Sequence, residues 1–314
     1  MKDPLILTSS VALFALLAFT QILIAFLAKR KPEKDFTEVR VRTRSWCIMI
    51  LILELTFYFG SQAIVGLMTC LSFFALREYL SQIPTRIPDR KVLFWVFLSI
   101  PIQFYLVYRQ WLVPFLCFIP LYGISIIALR LLLAGPPRGF MLALSSFQLG
   151  LLTTVYSVSH MAYLPFISQS STSSNYEVEI GTLLFFIFVT QANDVFQFIS
   201  GKAFGRHKIM PLISPKKTVE GFLGGVIISA MVSAGIAPLL TPLSPFQGMA
   251  AGILLAVFGF FGDVLMSAIK RDLEIKDFSQ LIPGHGGILD RIDSLIISAP
   301  LYFHFIRVLS EGIR

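Results

Sequence analysis

Long apolar runs separated by short polar stretches cover most of the chain. Ten of these runs approach the roughly 20 residues that an apolar α-helix needs to cross a bilayer. We therefore predict an all-α, polytopic membrane protein with about ten transmembrane helices. The predicted spans are Leu5 to Ala28, Trp46 to Gly60, Ser61 to Leu80, Val92 to Tyr108, Trp111 to Leu133, Phe140 to Ile167, Ile180 to Ser200, Val219 to Leu240, Gln247 to Ile269 and Ser294 to Val308.

The composition supports the membrane prediction. Hydrophobic residues make up 55% of the 314 positions, charged residues only 14%, and the mean hydropathy is +0.77. A soluble chain of this length would carry far more charge. The first apolar run is longer than the core of a signal peptide and leads directly into KRKPEK. We therefore expect it to be a retained helix rather than a cleaved signal.

The distribution of Lys and Arg predicts the orientation. If the loop after the first span is cytoplasmic, only four of the 26 Lys and Arg fall outside, as the positive-inside bias requires. Those four are Lys2, Arg109, Arg307 and Arg314. Three polar regions then share the cytoplasmic face: Lys29 to Arg44, Gly201 to Thr218 and Lys270 to Asp293. The net charge of +8 suits an anionic membrane surface, and nothing indicates a nucleic-acid partner.

The ninth span carries polar residues at helical spacing. Asp263, Ser267 and Lys270 lie at i, i+4 and i+7 and therefore share one helical face. A charge at membrane depth costs about 2.5 to 3.5 kcal/mol on insertion scales, so such residues usually face a polar cavity. The alternative is a structural ion pair between Asp263 and a base on a neighbouring helix.

A turn sequence, PGHGG, precedes the last span and is followed by Asp290 and Asp293 at i and i+3. Two carboxylates on one helical face repel each other, and a bound divalent cation such as Mg²⁺ would remove the conflict. The alternative is that Asp290 complements the dipole of the helix N-terminus. His285 lies among glycines that allow close approach of a ligand, and it either contacts a phosphate or substrate or stabilises the loop.

Upstream of the eighth span, Ser214 and Pro215 are predicted to be the N-cap and first residue of a helix. Lys216 and Lys217 would then lie in its first turn, where the backbone N–H groups and the two cations attract an anion. The alternative is that both lysines only follow the positive-inside bias. The glycines that follow, which are Gly221, Gly224 and Gly225, are expected to allow close helix packing.

The seventh span ends with a polar cluster in an apolar helix. Its members are Asn193, Asp194 and Gln197. We expect them to join the cavity that contains Asp263, and the alternative is hydrogen bonding to another helix.

The segment from Ser267 to Asp293, SAIKRDLEIKDFSQLIPGHGGILDRID, matches end to end the signature of phosphatidate cytidylyltransferases, and the chain resembles this family. The resemblance extends upstream through FGRHK and SPKKTVEGFLGG, to about Asn193. The signature positions present are Ser267, Lys270, Arg271, Lys276, Asp277, Pro283, His285, Gly286, Gly287, Asp290, Arg291 and Asp293. The resemblance implies a single membrane domain in which N-terminal helices (1–179) precede a catalytic region (180–314).

The resemblance also implies a reaction, in which a cytidylyl group passes from CTP to phosphatidate and pyrophosphate is released. It implies Mg²⁺, with room for a second cation, a homodimer, and catalytic loops facing the cytoplasm of a bacterial inner membrane. Metal-binding residues would be Asp263, Asp290 and Asp293. Catalytic residues would be Asp263, Asp290, Lys270, Arg271 and His285. From the residues and the resemblance together, the predicted substrate-binding residues are Asp194, Gln197, Ser214, Lys216, Lys217, Ser267, Lys276, Asp277, Gly286, Gly287 and Arg291.

One segment departs from the family pattern, since Val195, Phe196 and Gln197 replace small residues and an aromatic after Asp194. We expect these bulkier residues to reshape the acceptor or nucleotide pocket. A cytidylyltransferase acting on another lipid phosphate is therefore an alternative. A CTP-dependent polyprenol or phytol kinase and an ion-coupled transporter are the two further alternatives.

Overall fold

The computed structural model describes residues 37–167 and 176–312, and helices make up nearly all of that part of the chain. The helices are α1 (Thr37–Phe59), α2 (Ser61–Gln82), α3 (Leu93–Tyr108), α4 (Leu112–Ala134), α5 (Phe140–Ile167), α6 (Tyr176–Phe204), α7 (Val219–Leu240), α8 (Pro245–Asp272) and α9 (Leu289–Gly312). Two short antiparallel strands, β1 (Lys208–Met210) and β2 (Ser214–Thr218), join α6 to α7. The predicted all-α membrane class is confirmed.

Eight segments of the described chain, one for each helix from α2 to α9, are long and apolar enough to cross a membrane. They correspond to the third through tenth predicted spans. The first predicted span, Leu5 to Ala28, lies outside the described residues. The second, Trp46 to Gly60, is helical as part of α1, but α1 begins earlier, at Thr37, and is not among these eight segments. Arg42, Arg44 and Glu54 interrupt its apolar sequence.

Helices α1 and α2 form a hairpin whose open end rests on the loop between α8 and α9. Near the start of α1, the Ser45 hydroxyl donates to the Pro283 carbonyl at 2.8 Å. At the end of α2, the Gln82 amide donates to the Phe278 carbonyl at 2.9 Å. The turn at the other end is a single residue, Gly60, whose φ of 94° is a conformation that favours glycine.

Helices α6, α7, α8 and α9 pack against one another in chain order. A Cβ atom on Gly221 would lie 2.9 Å from the Gln197 carbonyl oxygen, and one on Gly225 would lie 2.3 Å from the Gln197 Cγ. On Gly224 it would lie 2.5 Å from the Ser200 hydroxyl oxygen. The expected role of these glycines in close helix packing is confirmed, because only hydrogen fits between α6 and α7 at these positions.

The predicted start of α7 was wrong. Ser214 is not an N-cap, because Ser214 to Thr218 form the strand β2, in which Ser214 pairs with Met210. The helix begins at Val219 and its N-cap is Thr218, whose hydroxyl oxygen accepts from the Gly221 amide at 3.2 Å. The competing interaction is the pairing with β1, which extends the chain through Lys216 and Lys217. These lysines therefore lie on a strand beside the helix N-terminus rather than in its first turn.

The described parts of the three polar regions that the sequence assigns to one face lie together at one end of the bundle. Lys217 of β2 forms an ion pair with Asp263 of α8. The Arg271 guanidinium donates to the Ile213 carbonyl at 3.4 Å. A Cβ atom on Gly284 would lie 3.0 Å from the side chain of Arg42 in α1. This end of the bundle therefore contains the whole candidate site.

Candidate active site

A cavity of about 390 Å³ opens between α6, β2, the start of α7, and α8. This volume lies within the range of about 300 to 1,000 Å³ that is usual for small-molecule pockets. Acids, an amide and bases line one part of it, and aromatic rings line the rest. The polar members are Asp194, Gln197, Lys202, Lys208, Lys216, Lys217 and Asp263, and the rings are Phe198, Phe222 and Phe260. We call it the lysine-rich cavity.

Asp263 of α8 forms an ion pair with Lys217 of β2 in the lysine-rich cavity. The Lys217 ammonium lies 2.5 Å from one oxygen of Asp263, and the Ser267 hydroxyl donates to the other at 3.3 Å. Lys217 also lies 4.4 Å from the centroid of the Phe260 ring. Asp263 therefore faces a polar cavity, and its ion-pair partner is a cavity lysine on strand β2 rather than a base on a neighbouring helix.

Two further carboxylates lie near Asp263. Asp293 of α9 interacts electrostatically with both Asp263 and Asp194, and Asp194 of α6 interacts with Asp263. Ser294 lies beside both acids: its backbone amide donates to Asp293 at 2.9 Å, and its side chain lies near Asp194. Three helices thus bring three acids together in a largely apolar bundle, where like charges are costly unless cations accompany them.

Asp290, one turn before Asp293, has a different environment. The Lys270 ammonium lies 2.9 Å from its Oδ1, and its Oδ2 accepts from the Phe278 amide at 2.9 Å and the Gly287 amide at 3.1 Å. Only 2% of the Asp290 side chain is exposed. Its two oxygens therefore hold both ends of the loop that precedes α9.

The donor chemistry of the acids suits Mg²⁺, which prefers carboxylate oxygens. Within residues 37–167 and 176–312, however, no three His, Cys, Asp or Glu side chains form a ready-made metal site. Lys217 takes one oxygen of Asp263, and protein donors take both oxygens of Asp290. The assignment of Asp263, Asp290 and Asp293 as metal ligands stays a prediction.

The polar cluster of α6 divides into two parts. Asp194 and Gln197 line the lysine-rich cavity, and the buried Gln197 Nε2 has no hydrogen-bond partner among the described residues. Asn193 is fully buried and instead connects helices, accepting from the Ser229 hydroxyl at 3.2 Å and donating to the Ala256 carbonyl at 3.4 Å. Gln197 is therefore a lining residue of the cavity whose buried amide nitrogen lacks a hydrogen-bond partner among the described residues.

The remaining signature residues lie elsewhere. Lys276, Asp277, His285, Gly286 and Arg291 line a second cavity of about 620 Å³, which shares none of its lining residues with the first. Partial burial is the main cause that lowers the pKa of His285. The Arg291 and Arg42 guanidiniums lower it further, against a hydrogen bond to the Pro283 carbonyl that raises it. His285 is therefore neutral near pH 7.

The sequence interpretation missed Glu78, which organises the signature loop from outside it. This buried residue of α2 accepts from the Ser279 hydroxyl at 2.6 Å and from the Ile288 and Leu289 amides at 3.0 and 2.9 Å. A Cβ atom on Gly287 would lie 2.4 Å from the Glu78 carboxylate. Glu78 thus caps the N-terminus of α9, and the only signal in the sequence is a lone acid near the end of an apolar run.

Replacing Glu78 by Gln should loosen the start of α9. Gln keeps one acceptor oxygen where Glu78 uses two, so at least one buried amide donor loses its partner, at a cost of about 1 to 3 kcal/mol. We expect faster hydrogen exchange in peptides that contain residues 286–292. The exposed Glu274, changed to Gln, is the matched control for the loss of charge. Equal exchange in the two variants would contradict this role of Glu78.

Comparisons with known proteins agree with the signature. The model of a family described as the cytidylyltransferase family matches residues 40–309. The chain is 40% identical over 301 residues to the protein named "Uncharacterized protein YnbB" of Escherichia coli (strain K12), covering 95% of this chain and 97% of that protein.

Several relatives carry the name phosphatidate cytidylyltransferase, and two of them illustrate the extent of the match. The protein of Aquifex aeolicus (strain VF5) is 39% identical over 160 residues, which cover 51% of this chain and 57% of that protein. The protein of Chlamydia muridarum (strain MoPn / Nigg) is 41% identical over 136 residues, which cover 41% and 44%. These matches span about half the length of the two relatives. Because the family model covers most of the chain and one relative matches nearly end to end, this chain belongs to the cytidylyltransferase family and is a nucleotidyltransferase.

Proposed function

We propose that this protein transfers the cytidylyl group of CTP to phosphatidate, giving CDP-diacylglycerol and pyrophosphate. One observation carries the proposal: Asp194 and Asp263 line one cavity together with four lysines, and Asp293 lies near both acids, at the end of the bundle that holds the signature loop. The names of the two shorter matches support phosphatidate as the acceptor. We assign the cavity to the cytoplasmic side of a bacterial inner membrane, on the Lys and Arg distribution. A homodimer, implied by the resemblance, is also part of the proposal.

The reaction needs no nucleophile from the protein. A phosphate oxygen of phosphatidate attacks the α-phosphorus of CTP and forms a new P–O bond. The bond from that phosphorus to the bridging oxygen breaks, and pyrophosphate leaves with the electron pair. Both reactants are anions, so the main tasks of the protein are to hold them together and to offset their repulsion.

The lysines of the cavity supply the positive charge for this task. Lys216 and Lys217 extend from β2, and Lys202 and Lys208 line the same cavity. Lys217 is held by Asp263, so its ammonium is positioned before a triphosphate enters. The rings that line the rest of the cavity, of which Phe260 packs against Lys217, offer an apolar surface for the glycerol and acyl part of the lipid.

Mg²⁺, with a second cation, belongs to the proposal. Asp263 and Asp293, with Asp194 beside them, would hold it, because they are the acids that repel one another. When bound, the cation would neutralise charge on the triphosphate as it develops on the leaving group. Asp290 would keep its contacts with Lys270 and the loop amides, and so would keep Asp293 in place.

Labelled CTP tests the proposed reaction directly. Purified protein is incubated with Mg²⁺, phosphatidate and CTP labelled at either the α- or the γ-phosphate. We expect the α label on the lipid and the γ label in pyrophosphate. The γ label on the lipid would instead identify a kinase. Ion flux in proteoliposomes without CTP consumption would identify a transporter.

Replacing Asp263 by Asn should reduce turnover by about 100-fold or more, since removal of one preorganised electrostatic contact typically has that effect. The change also leaves Lys217 without its partner. Steady-state cytidylyl transfer at several Mg²⁺ concentrations measures the loss, and the elution profile in detergent checks folding. Asp272→Asn, at the exposed end of the same helix, is the matched control. Turnover like that of the control would refute the role of Asp263.

Replacing Gln197 by Ala should change the preference among acceptor lipids more than the requirement for CTP. The reason is that Gln197 lines the cavity at a position where the sequence departs from the family pattern. Competition assays with mixed lipid phosphates compare kcat/KM for each acceptor, with KM for CTP measured in parallel. An unchanged acceptor profile would show that Gln197 does not contribute to the selection of the acceptor lipid. The departure from the family pattern at Gln197 also favours a different lipid phosphate as the second candidate acceptor.

A further inference from the structure

The β-hairpin between α6 and α7 carries most of the positive charge of the lysine-rich cavity. Of the four lysines that line this cavity among the described residues, Lys208 lies on β1, and Lys216 and Lys217 lie on β2. A two-stranded hairpin is at best marginally stable by itself, so its side chains keep their places only where the rest of the protein anchors the strands. Those anchors therefore determine how the cavity presents its charge.

The three hairpin lysines are not anchored alike. Lys217 forms an ion pair with the carboxylate of Asp263. Lys208 and Lys216 are exposed, and in the part of the chain that the structure describes neither forms a salt bridge. The strand pairing is short, with two registered residue pairs and an irregularity between them. The positions of Lys208 and Lys216 therefore depend on what holds the backbone at the base of the hairpin.

Glu220, in the first turn of α7, holds that base. Its carboxylate accepts from the Arg206 backbone amide at 2.9 Å and from the His207 backbone amide at 3.1 Å. The Nδ1 atom of the His207 ring lies 2.5 Å from the other carboxylate oxygen. The His207 carbonyl accepts from the Val219 amide at 2.8 Å. The residue directly before Lys208 is thus bound to α7 through both its backbone and its side chain.

The end of α6 packs closely against the same point. A Cβ atom on Gly205 would lie 2.7 Å from the Thr218 hydroxyl oxygen, and one on Gly201 would lie 3.1 Å from it. Thr218 is the last residue of β2 and the N-cap of α7. The end of α6, the end of β2 and the start of α7 therefore meet here, and Glu220 fixes the strand that leaves this junction.

We propose that Glu220 is a positioning residue for the polyanion site, acting through the hairpin to keep Lys208 and Lys216 on the wall of the lysine-rich cavity. Glu220 is not among the described residues that line this cavity, so its effect passes through β1 and its partner strand. The inference rests on the proposed function in one respect, since it takes the triphosphate of CTP as the polyanion. It adds a residue to which that function assigns no role.

Glu220→Gln tests this role with little change of shape. Gln keeps one acceptor oxygen and replaces the other by a donor, so a backbone amide at the hairpin base loses its acceptor. Binding of labelled CTP to the purified full-length protein, with Mg²⁺ in detergent, is measured by equilibrium dialysis. We expect binding about tenfold weaker than in the parent, the usual effect of losing one charged hydrogen bond.

The matched control is Glu274→Gln, the same change at an exposed residue after α8. Its affinity for CTP should stay within about twofold of the parent. Loss of a negative charge near an anion site would by itself strengthen binding, so a weaker affinity in Glu220→Gln reports lost positioning rather than changed charge. Equal affinities in the two variants would overturn the proposal.

A double-mutant comparison asks whether Glu220 acts through the two lysines. In a protein that already carries Lys208→Ala and Lys216→Ala, Glu220→Gln should change CTP affinity by no more than about twofold, because the side chains that it positions are gone. The dialysis is extended to higher CTP concentrations for this background. A general loss of stability would not depend on the lysines, so an undiminished tenfold loss would overturn the proposal.

Hydrogen exchange measures the hairpin without any ligand. Peptides that contain residues 206–218 should exchange faster in Glu220→Gln than in Glu274→Gln, while peptides from α2 and α9 exchange alike in both. Equal exchange in the hairpin peptides would show that Glu220 does not hold this segment and would overturn the proposal.

The positioning role and the proposed reaction fail in distinguishable ways. Transfer of the α label from CTP to phosphatidate is measured with the parent protein. CTP binding that depends on Glu220, without any label transfer, would count against the reaction and support the positioning role. Label transfer by the parent, with equal CTP affinity in the two Gln variants, would do the reverse.

Discussion

Negative charge inside an apolar helix bundle is the constraint on which the rest of this structure depends. Asp194, Asp263 and Asp293 come from three different helices and repel one another. Such an arrangement persists only where cations lie close by, because the low dielectric strengthens attraction and repulsion alike. Lys217 supplies one cation from the hairpin between α6 and α7, and Lys270 lies near Asp293. The cluster is therefore suited to polyanionic substrates that bring further cations with them.

The geometry of that cluster depends on helices remote from it in sequence. Glu78 of α2 caps α9, and the Gln82 amide holds the Phe278 carbonyl beside it. Asp290 completes the arrangement by holding Lys270 and two loop amides. Since α9 carries Asp293, the N-terminal half fixes where this carboxylate lies. The two halves of the chain are thus joined by hydrogen bonds at the start of the helix that carries Asp293.

The sequence was enough to predict the membrane class, eight of the spans and the close packing of Gly221 and Gly225, because these follow from local composition. It could not reveal that Ser214 pairs with β1, since a strand partner competes there with a plausible helix cap. The role of Glu78 could not be predicted for a similar reason, because its hydrogen-bond partners lie some 200 residues away along the chain. The signature identified candidate site residues, but it could not show that the candidate residues of the chain line two separate cavities.

The most direct test of the account is a structure with nucleotide. Full-length protein in lipid nanodiscs, with Mg²⁺ and a CTP analogue whose α,β-bridging oxygen is replaced by carbon, can be imaged by cryo-electron microscopy. We predict triphosphate density in the lysine-rich cavity, in contact with Lys217 and beside Asp263 and Asp293. Nucleotide density elsewhere, with the cavity unchanged and Lys217 still paired only with Asp263, would contradict the central claim.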